Sequence, residues 1–354
     1  MSGCPAILKL TTRERRKMAH NIENQNGKDS FASFREPAWH GLGTVFTEEK
    51  TTVEMLEAAN LSNWNVRLED MQTPAHLTSD KNYQYVLRTN PTDNTQTDIL
   101  GVVGERYHTM QNEDLFSFGD NILDGGGRWE TAGSLKGGRV VFGSLALERE
   151  TVLDPNGVAD VVKTYLLINT SHDGSIAIQA SITPVRVVCA NTLNLALGRK
   201  KNKGVKQSFK IRHTQTANGK IQIARETLGL ANAYMDDFDI MAKAMIEKEV
   251  TAIDFNKIIL AAYPKPEKDS KGAVKKWENK IDIINDIYTG EFNGMIAGSA
   301  WGALNALTER LDWYRFARGG NNESILASAS GFDPVINAEK NRLLDVVRNT
   351  MQLV

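Results

Sequence analysis

Val161-Val162-Lys163-Thr164-Tyr165-Leu166-Leu167-Ile168-Asn169 is followed, at Ser175-Ile176-Ala177-Ile178-Gln179-Ala180-Ser181-Ile182, by a second run of the same kind. Both runs have strand length and β-rich composition, and Asp173-Gly174 supplies turn chemistry between them. The pair predicts an antiparallel hairpin and sets the fold as a sheet of consecutive strands. Upstream, Tyr83, Tyr85 and Leu87 alternate with polar neighbours, Asn90 to Asn94 predicts a turn, and Ile99 to Val103 returns as a strand. Gly137-Gly138 precedes another strand through Val140, Val141, Phe142 and Leu145. Downstream, Pro184 interrupts, Val185 to Cys189 resumes, and Asn191 to Ala196 predicts the start of a helix.

Helical spacing marks other segments. Thr52 is placed to cap a helix carrying Val53, Leu56 and Ala59. Asn112 to Leu123 puts Leu115, Phe118 and Ile122 on one face, and Gly125, Gly126 and Gly127 read as its stop, not as a phosphate cradle. Beyond residue 220 the pattern is helical: Tyr234, Phe238, Met241 and Met245; a helix capped by Thr251; Trp277 to Ile287; Ser299 to Phe316; and a last helix from near Pro334. The predicted class is α+β, a mainly antiparallel sheet with helices followed by a helical C-terminal region. Residues 1–36 read as a flexible N-terminal leader, 37–220 as the α+β core with a basic arm at 199–220, and 221–354 as the helical region.

The chain has 354 residues, 41% of them hydrophobic, enough for a sizeable core. It contains no apolar run of membrane-spanning length and no apolar stretch of signal-peptide kind near its start. No membrane association is expected. Cys4 and Cys189 have no partner at zinc-ligand spacing, so a disulfide framework and a structural zinc are both disfavoured, and a reducing cytoplasm is the expected compartment.

Motifs for bound nucleotides and for common hydrolytic chemistry are missing from the sequence. Gly198 to Gly204 lacks the Gly-Lys-Ser/Thr ending of a phosphate loop, and no H-E-x-x-H, G-x-S-x-G or C-x-x-C occurs. Ser171, His172 and Asp173 are adjacent, which does not make a triad; they read as a polar hairpin tip. His40 and His108 read as core or rim groups. Asp236, Asp237 and Asp239 face different directions on one predicted helix and read as a solvated face. No catalytic residue, metal or cofactor is assigned.

Charge distribution gives a positive signal. Net charge is only -1, yet Arg199, Lys200, Lys201, Lys203, Lys206, Lys210, Arg212 and Lys220 fall in a segment with no acidic residue, leaving the remainder distinctly acidic. That asymmetry fits polyanion binding; its plainer reading is a solvated basic loop. Phe209 and Ile211 alternate with Lys210 and Arg212, which predicts a strand or hairpin arm. Just upstream, Arg186 stands in an apolar strand run and Asn191 and Asn194 follow. Together Arg186, Asn191, Asn194, Arg199, Lys200, Lys201, Lys203, Lys206, Lys210 and Arg212 form the candidate nucleic-acid-binding set, with cations for phosphates and amides for sugar or base. Tyr107, Trp129 and Phe209 are the candidate stacking aromatics.

Four stretches carry a family resemblance: Pro37-Ala38-Trp39-His40-Gly41-Leu42-Gly43; Thr131-Ala132-Gly133-Ser134-Leu135 with Gly137-Gly138-Arg139; Thr183-Pro184-Val185-Arg186-Val187-Val188-Cys189-Ala190-Asn191-Thr192-Leu193; and Ala300-Trp301-Gly302-Ala303-Leu304-Asn305-Ala306-Leu307-Thr308-Glu309. On these the chain resembles the phage/plasmid-like protein family, long catalogued as a domain of unknown function, over roughly residues 35 to 320. The resemblance implies a bacteriophage or plasmid setting and no particular activity. In architecture, and in lacking an ATP motif, the chain also resembles the RecT, Redβ and Erf kinds of single-strand annealing protein.

The expectation is a non-enzymatic single-stranded DNA-binding protein acting in ATP-independent annealing or recombination, as a homo-oligomer that could be a ring or filament. The Leu304, Leu307, Leu311 and Tyr314 stripe, with Trp301, Trp313 and the Tyr234 to Met245 helix, would then supply subunit contacts. An alternative is a phage-encoded interaction protein that binds and inhibits a host factor; a third is a metal-dependent nuclease built from dispersed acids.

Overall fold

The hairpin that decides the fold lies toward one border of an eight-stranded sheet. The computed structural model describes residues 22–35, 43–72, 79–122, 127–153, 157–186, 191–192, 208–211, 220–266, 271–314 and 334–353. In chain order its strands are β1 (Asn24–Gln25), β2 (Lys28–Asp29), β3 (Phe31–Phe34), β4 (Thr44–Phe46), β5 (Arg67–Gln72), β6 (Ser79–Asn90), β7 (Asp93–Gly104), β8 (Arg128–Leu135), β9 (Val140–Leu153), β10 (Asp160–Ser171), β11 (Ile178–Arg186), β12 (Asn191–Thr192) and β13 (Ser208–Ile211). The helices are α1 (Thr52–Ala58), α2 (Asn112–Ile122), α3 (Lys220–Glu247), α4 (Ala252–Ala262), α5 (Lys271–Thr289), α6 (Ala300–Trp313) and α7 (Pro334–Met351). The main sheet runs β12-β11-β10-β9-β8-β3-β4, with β13 also on β11; β5-β6-β7 form a separate antiparallel sheet and β1-β2 a small hairpin. Among the described residues only β3 and β4 pair parallel. The class is therefore α+β, with the helices concentrated toward the C-terminal end.

Alternation assigns the faces. Ile178, Ala180 and Ile182 of β11, and Val162, Leu166 and Ile168 of β10, join the core with Phe116 and Trp129. That cluster continues through Tyr234 and Phe238 of α3 to Trp301, Leu304 and Leu307 of α6 and Val347 of α7. The helical region thus shares one hydrophobic core with the sheet. Two polar ties reinforce the junction. Arg149 of β9 pairs with Asp236 at 2.7 Å and Asp239 at 3.0 Å on α3, and the Trp301 indole N–H donates to Asp160 at 2.9 Å. The acids read as a solvated face are in part such ties.

The structure corrects several sequence expectations. Phe31–Phe34 is a buried strand of the main sheet and Ile22 bridges to Leu135, so the leader reading does not extend to residue 36. Thr51, not Thr52, caps α1: its hydroxyl accepts from the Glu54 N–H and the Glu54 carboxylate accepts from the Thr51 N–H, a reciprocal pairing at the helix start. Asn191–Thr192 is a strand on β11, not the start of a helix, because that edge offers a ladder of backbone partners. His172 is fully buried, not a hairpin tip: its Nε2 lies 3.0 Å from the Asn112 amide oxygen and its ring packs against Trp64. The stripe of Trp301, Leu304, Leu307 and Leu311 is buried within the chain, as are Tyr234, Phe238 and Met245, so these side chains are not left for a neighbouring subunit. Tyr314, at 45% exposure, is the member left outside.

Candidate nucleic-acid interface

The outer edge of β11 is covered in two pieces. Near its C-terminal end Val185 pairs with Thr192 and Arg186 with Asn191. Near its start Ile178, Gln179, Ala180 and Ser181 pair with Ile211, Lys210, Phe209 and Ser208. Both pieces run antiparallel to β11 and so in the same direction as each other. Only Ile182, Thr183 and Pro184 separate them on β11, whereas residues 193–207 separate them along the chain. β12 and β13 are thus two fragments of one edge strand, and the basic run begins after the first and ends at the second. Pro184 lies between the two paired stretches and has no N–H to give to an outer neighbour.

This register sorts the predicted residues. Arg186 and Asn191 are direct cross-strand partners. Lys210 is opposite Gln179, seven positions back along β11, or roughly 23 Å at the rise of a strand. It also has the opposite parity: position 186 alternates with Ile178, Ala180 and Ile182, whereas Gln179, opposite Lys210, alternates with Ser181 and Thr183. Arg186 and Lys210 therefore lie at opposite ends of the edge and on opposite sides of the sheet. Asn194, Arg199, Lys200, Lys201, Lys203, Lys206 and Arg212 lie outside the described residues.

The Gln179 side of the sheet mixes apolar residues, Phe142 of β9 and Leu167 of β10, with polar ones. Across from Gln179 stands Asn169 of β10, and Ser144 of β9 hydrogen-bonds Thr131 of β8 at 2.6 Å on the same side. Asn169 Oδ1 and Nδ2, Ser181 Oγ and Thr183 Oγ1 are buried with no hydrogen-bond partner among the described residues. An unmatched buried polar atom costs about 1–3 kcal/mol, so each would gain from water or a ligand reaching this face. The sequence marked none of these three, because single Asn, Ser and Thr residues in strands are unremarkable until the register aligns them.

The candidate stacking aromatics are occupied elsewhere. Trp129 is buried, stacks on Phe116 with ring centres 4.6 Å apart, and donates its indole N–H to Thr52. Tyr107 bonds the Ser171 carbonyl at 3.0 Å, and burial, helped by the Asp173 charge, pushes its phenol well above the usual tyrosine range. Phe209 holds a register position opposite Ala180 on β13.

A second polar centre joins the two sheets. Arg88 of β6 is fully buried; its guanidinium donates to Glu23 at 3.0 Å and Asp98 at 2.9 Å and stacks 4.0 Å from the Trp64 ring. Ser134 of β8 donates to the same Glu23 at 2.7 Å. Burial pushes the Asp98 carboxyl up, but hydrogen bonds from Gln25, Arg88 and Asn90 outweigh it and hold its pKa below the usual aspartate value. An open cleft of about 410 Å³ lies over Glu23, Gln25, Arg88 and Asp98, rimmed by Lys136. Each charged group in its floor has a partner within the protein, so this centre serves as a structural clamp.

With this geometry in hand, comparison places the chain in a family. Residues 99–330, from β7 through α6, match the family described as Domain of unknown function (DUF932), and the chain belongs to it. No curated protein and no solved structure matches the chain.

Proposed function

We propose that the chain binds single-stranded DNA along the β11 edge and supports ATP-independent strand annealing in a phage or plasmid setting. The observation that carries this reading is that Thr192 and Ser208, which flank residues 193–207, both pair with β11. The cations of that segment are thus joined at both ends to one strand, which favours their acting together on one strand of phosphates. The Arg186–Asn191 and Gln179–Lys210 pairs mark the two attachments, seven positions apart along β11. Asn169, Ser181 and Thr183 add hydrogen-bonding groups on the Lys210 side.

The test uses complementary labelled oligonucleotides and purified protein. Duplex formation should accelerate without ATP or divalent metal, and binding should weaken steeply with salt. Metal-dependent cleavage of the strands would replace this reading with a nuclease. A protein-partner reading has its own supporting observation: Tyr83, Ile99 and Val102 are exposed on the three-stranded sheet at 53%, 61% and 47%. Salt-independent, undetectable DNA binding would leave that surface as the better lead.

A further inference from the structure

In the helical region, three helices bring cations to one aromatic ring. Tyr263 follows the last turn of α4, and its ring is buried. Lys280 of α5 places its ammonium 4.5 Å from the ring centre. Arg310 of α6 and Arg342 of α7 place their guanidinium carbons at 5.4 and 5.6 Å. A fourth cation is adjacent: Lys265 lies 5.8 Å from the Trp277 ring, whose N–H donates to the Tyr263 carbonyl at 2.8 Å.

Among the described residues the charges in this cluster do not balance. Glu339 accepts from both Arg342 Nε at 2.8 Å and Arg342 Nη2 at 2.7 Å, and the Tyr263 hydroxyl donates to it at 3.4 Å. That carboxylate is hydrogen-bonded to one of the three cations and acts on Lys280 only through its charge. Lys280 has no hydrogen bond or ion pair among the described residues, and Arg310 Nε is buried without a partner. The aromatic face offsets part of the repulsion by drawing cations toward its negative centre, but it carries no net charge. Burial, with Arg310 and Arg342 adding to it, pushes the Lys280 ammonium pKa below the ordinary lysine value, as expected where positive charge is in excess. Lys280, Arg310 and Arg342 all remain partly open to solvent, so an anion can reach them.

We propose that Lys280, Arg310 and Arg342, gathered around Tyr263, form a phosphate-binding site on the helical region. Two guanidinium groups and an ammonium held by three different helices suit a compact, multiply charged oxyanion better than a single carboxylate. The phosphate can belong to a nucleic-acid strand or to a free phosphate. If it belongs to a strand, the site extends the DNA-binding reading above and rests on it; the phosphate chemistry itself does not.

The experiment measures acylation of Lys280 by an amine-reactive reagent, by mass spectrometry of the full chain, alone and with a single-stranded oligonucleotide or inorganic phosphate. It is paired with oligonucleotide binding across salt concentrations for wild type and K280Q/R342Q, with the variant's fold checked by circular dichroism. Protection by the oligonucleotide, and a salt slope reduced by about 0.7 per lost phosphate contact, is the expected result. Protection by inorganic phosphate with no oligonucleotide binding would uphold the site, assign it to free phosphate, and remove the DNA reading of the sheet edge. Oligonucleotide binding with an unchanged slope and no protection of Lys280 by either anion would overturn the site while leaving the sheet-edge reading in place. Absence of both binding and protection would overturn both.

Discussion

Trp301 donates its indole N–H to the Asp160 carboxylate across 2.9 Å, and both residues are buried. The bond joins the first turn of α6 to the first residue of β10, so the helical region and the sheet share polar as well as apolar contacts. Trp301→Phe keeps an aromatic ring but removes this donor. It should lower stability by about 1–3 kcal/mol from the hydrogen bond alone. The midpoint of urea unfolding, followed by both near- and far-ultraviolet circular dichroism, reads this; an unchanged midpoint would show that the bond does not couple the two parts.

Arg88 is the second test of coupling. Arg88→Met leaves Glu23 buried with its principal charge partner gone, at a cost of about 3–5 kcal/mol. Gly138→Ala should disturb the same centre, because Gly138 has φ +83° and an added Cβ would run into the Arg88 guanidinium. Loss of stability in both variants, measured by denaturant titration, is expected; an unaffected Gly138→Ala would mean that the turn yields.

Acid should weaken this clamp. The folded-state pKa of Asp98 lies below its unfolded value, so its contribution is fully present above the unfolded aspartate range and lost as pH falls through the folded value. Stability should therefore decline below about pH 4, and the decline should be shallower in Asp98→Asn. Thermal unfolding at stepped pH checks it; equal slopes in the two proteins would remove Asp98 from the account.

Lys340 and Asp312 form a fully buried pair, 2.5 Å apart, between α7 and α6. Lys340→Met alone should cost about 3–5 kcal/mol by leaving Asp312 without its cation, whereas Lys340→Met with Asp312→Leu should recover most of that loss. A double-mutant cycle in urea decides it; an additive double variant would show that the two side chains are independent.

The basic run gives the functional prediction. Replacing Lys200, Lys201, Lys203 and Lys206 with Ala should reduce single-stranded DNA affinity and lower the salt slope by about 0.7 per lost contact, with the unfolding midpoint unchanged. Unaltered binding by fluorescence anisotropy would return the segment to a solvated loop.

The central hairpin was legible because both of its strands and its turn are local: the pairing of Leu166 with Ile182 follows from two adjacent runs and a glycine at φ +75°. What escaped depends on partners distant in sequence. Asn191-Thr192 carries a short ambiguous pattern, and only β11 makes it a strand. Phe31–Phe34 is a short apolar island in polar surroundings, and its burial depends on β8, a hundred residues away. Arg88 reads as an ordinary exposed strand residue until Glu23 and Trp64 arrive from elsewhere in the chain. At the candidate site, the basic run and Arg186 were visible as charge in an unusual place. The separation of Arg186 from Lys210 was not, because parity becomes defined only once β13 has chosen its register.

The divided edge strand also bears on self-association. An open β-edge invites another chain to add a strand, and proteins commonly blunt such edges with proline, charge or short segments. Here β12 and β13 already pair with the two ends of β11, and Pro184 between them has no N–H to offer a ladder. The opposite border of the sheet is β4, only three residues long. Among the described residues the main sheet thus leaves no long open strand on which copies of this chain could template one another, which favours assembly on DNA through side-chain surfaces or through the nucleic acid itself.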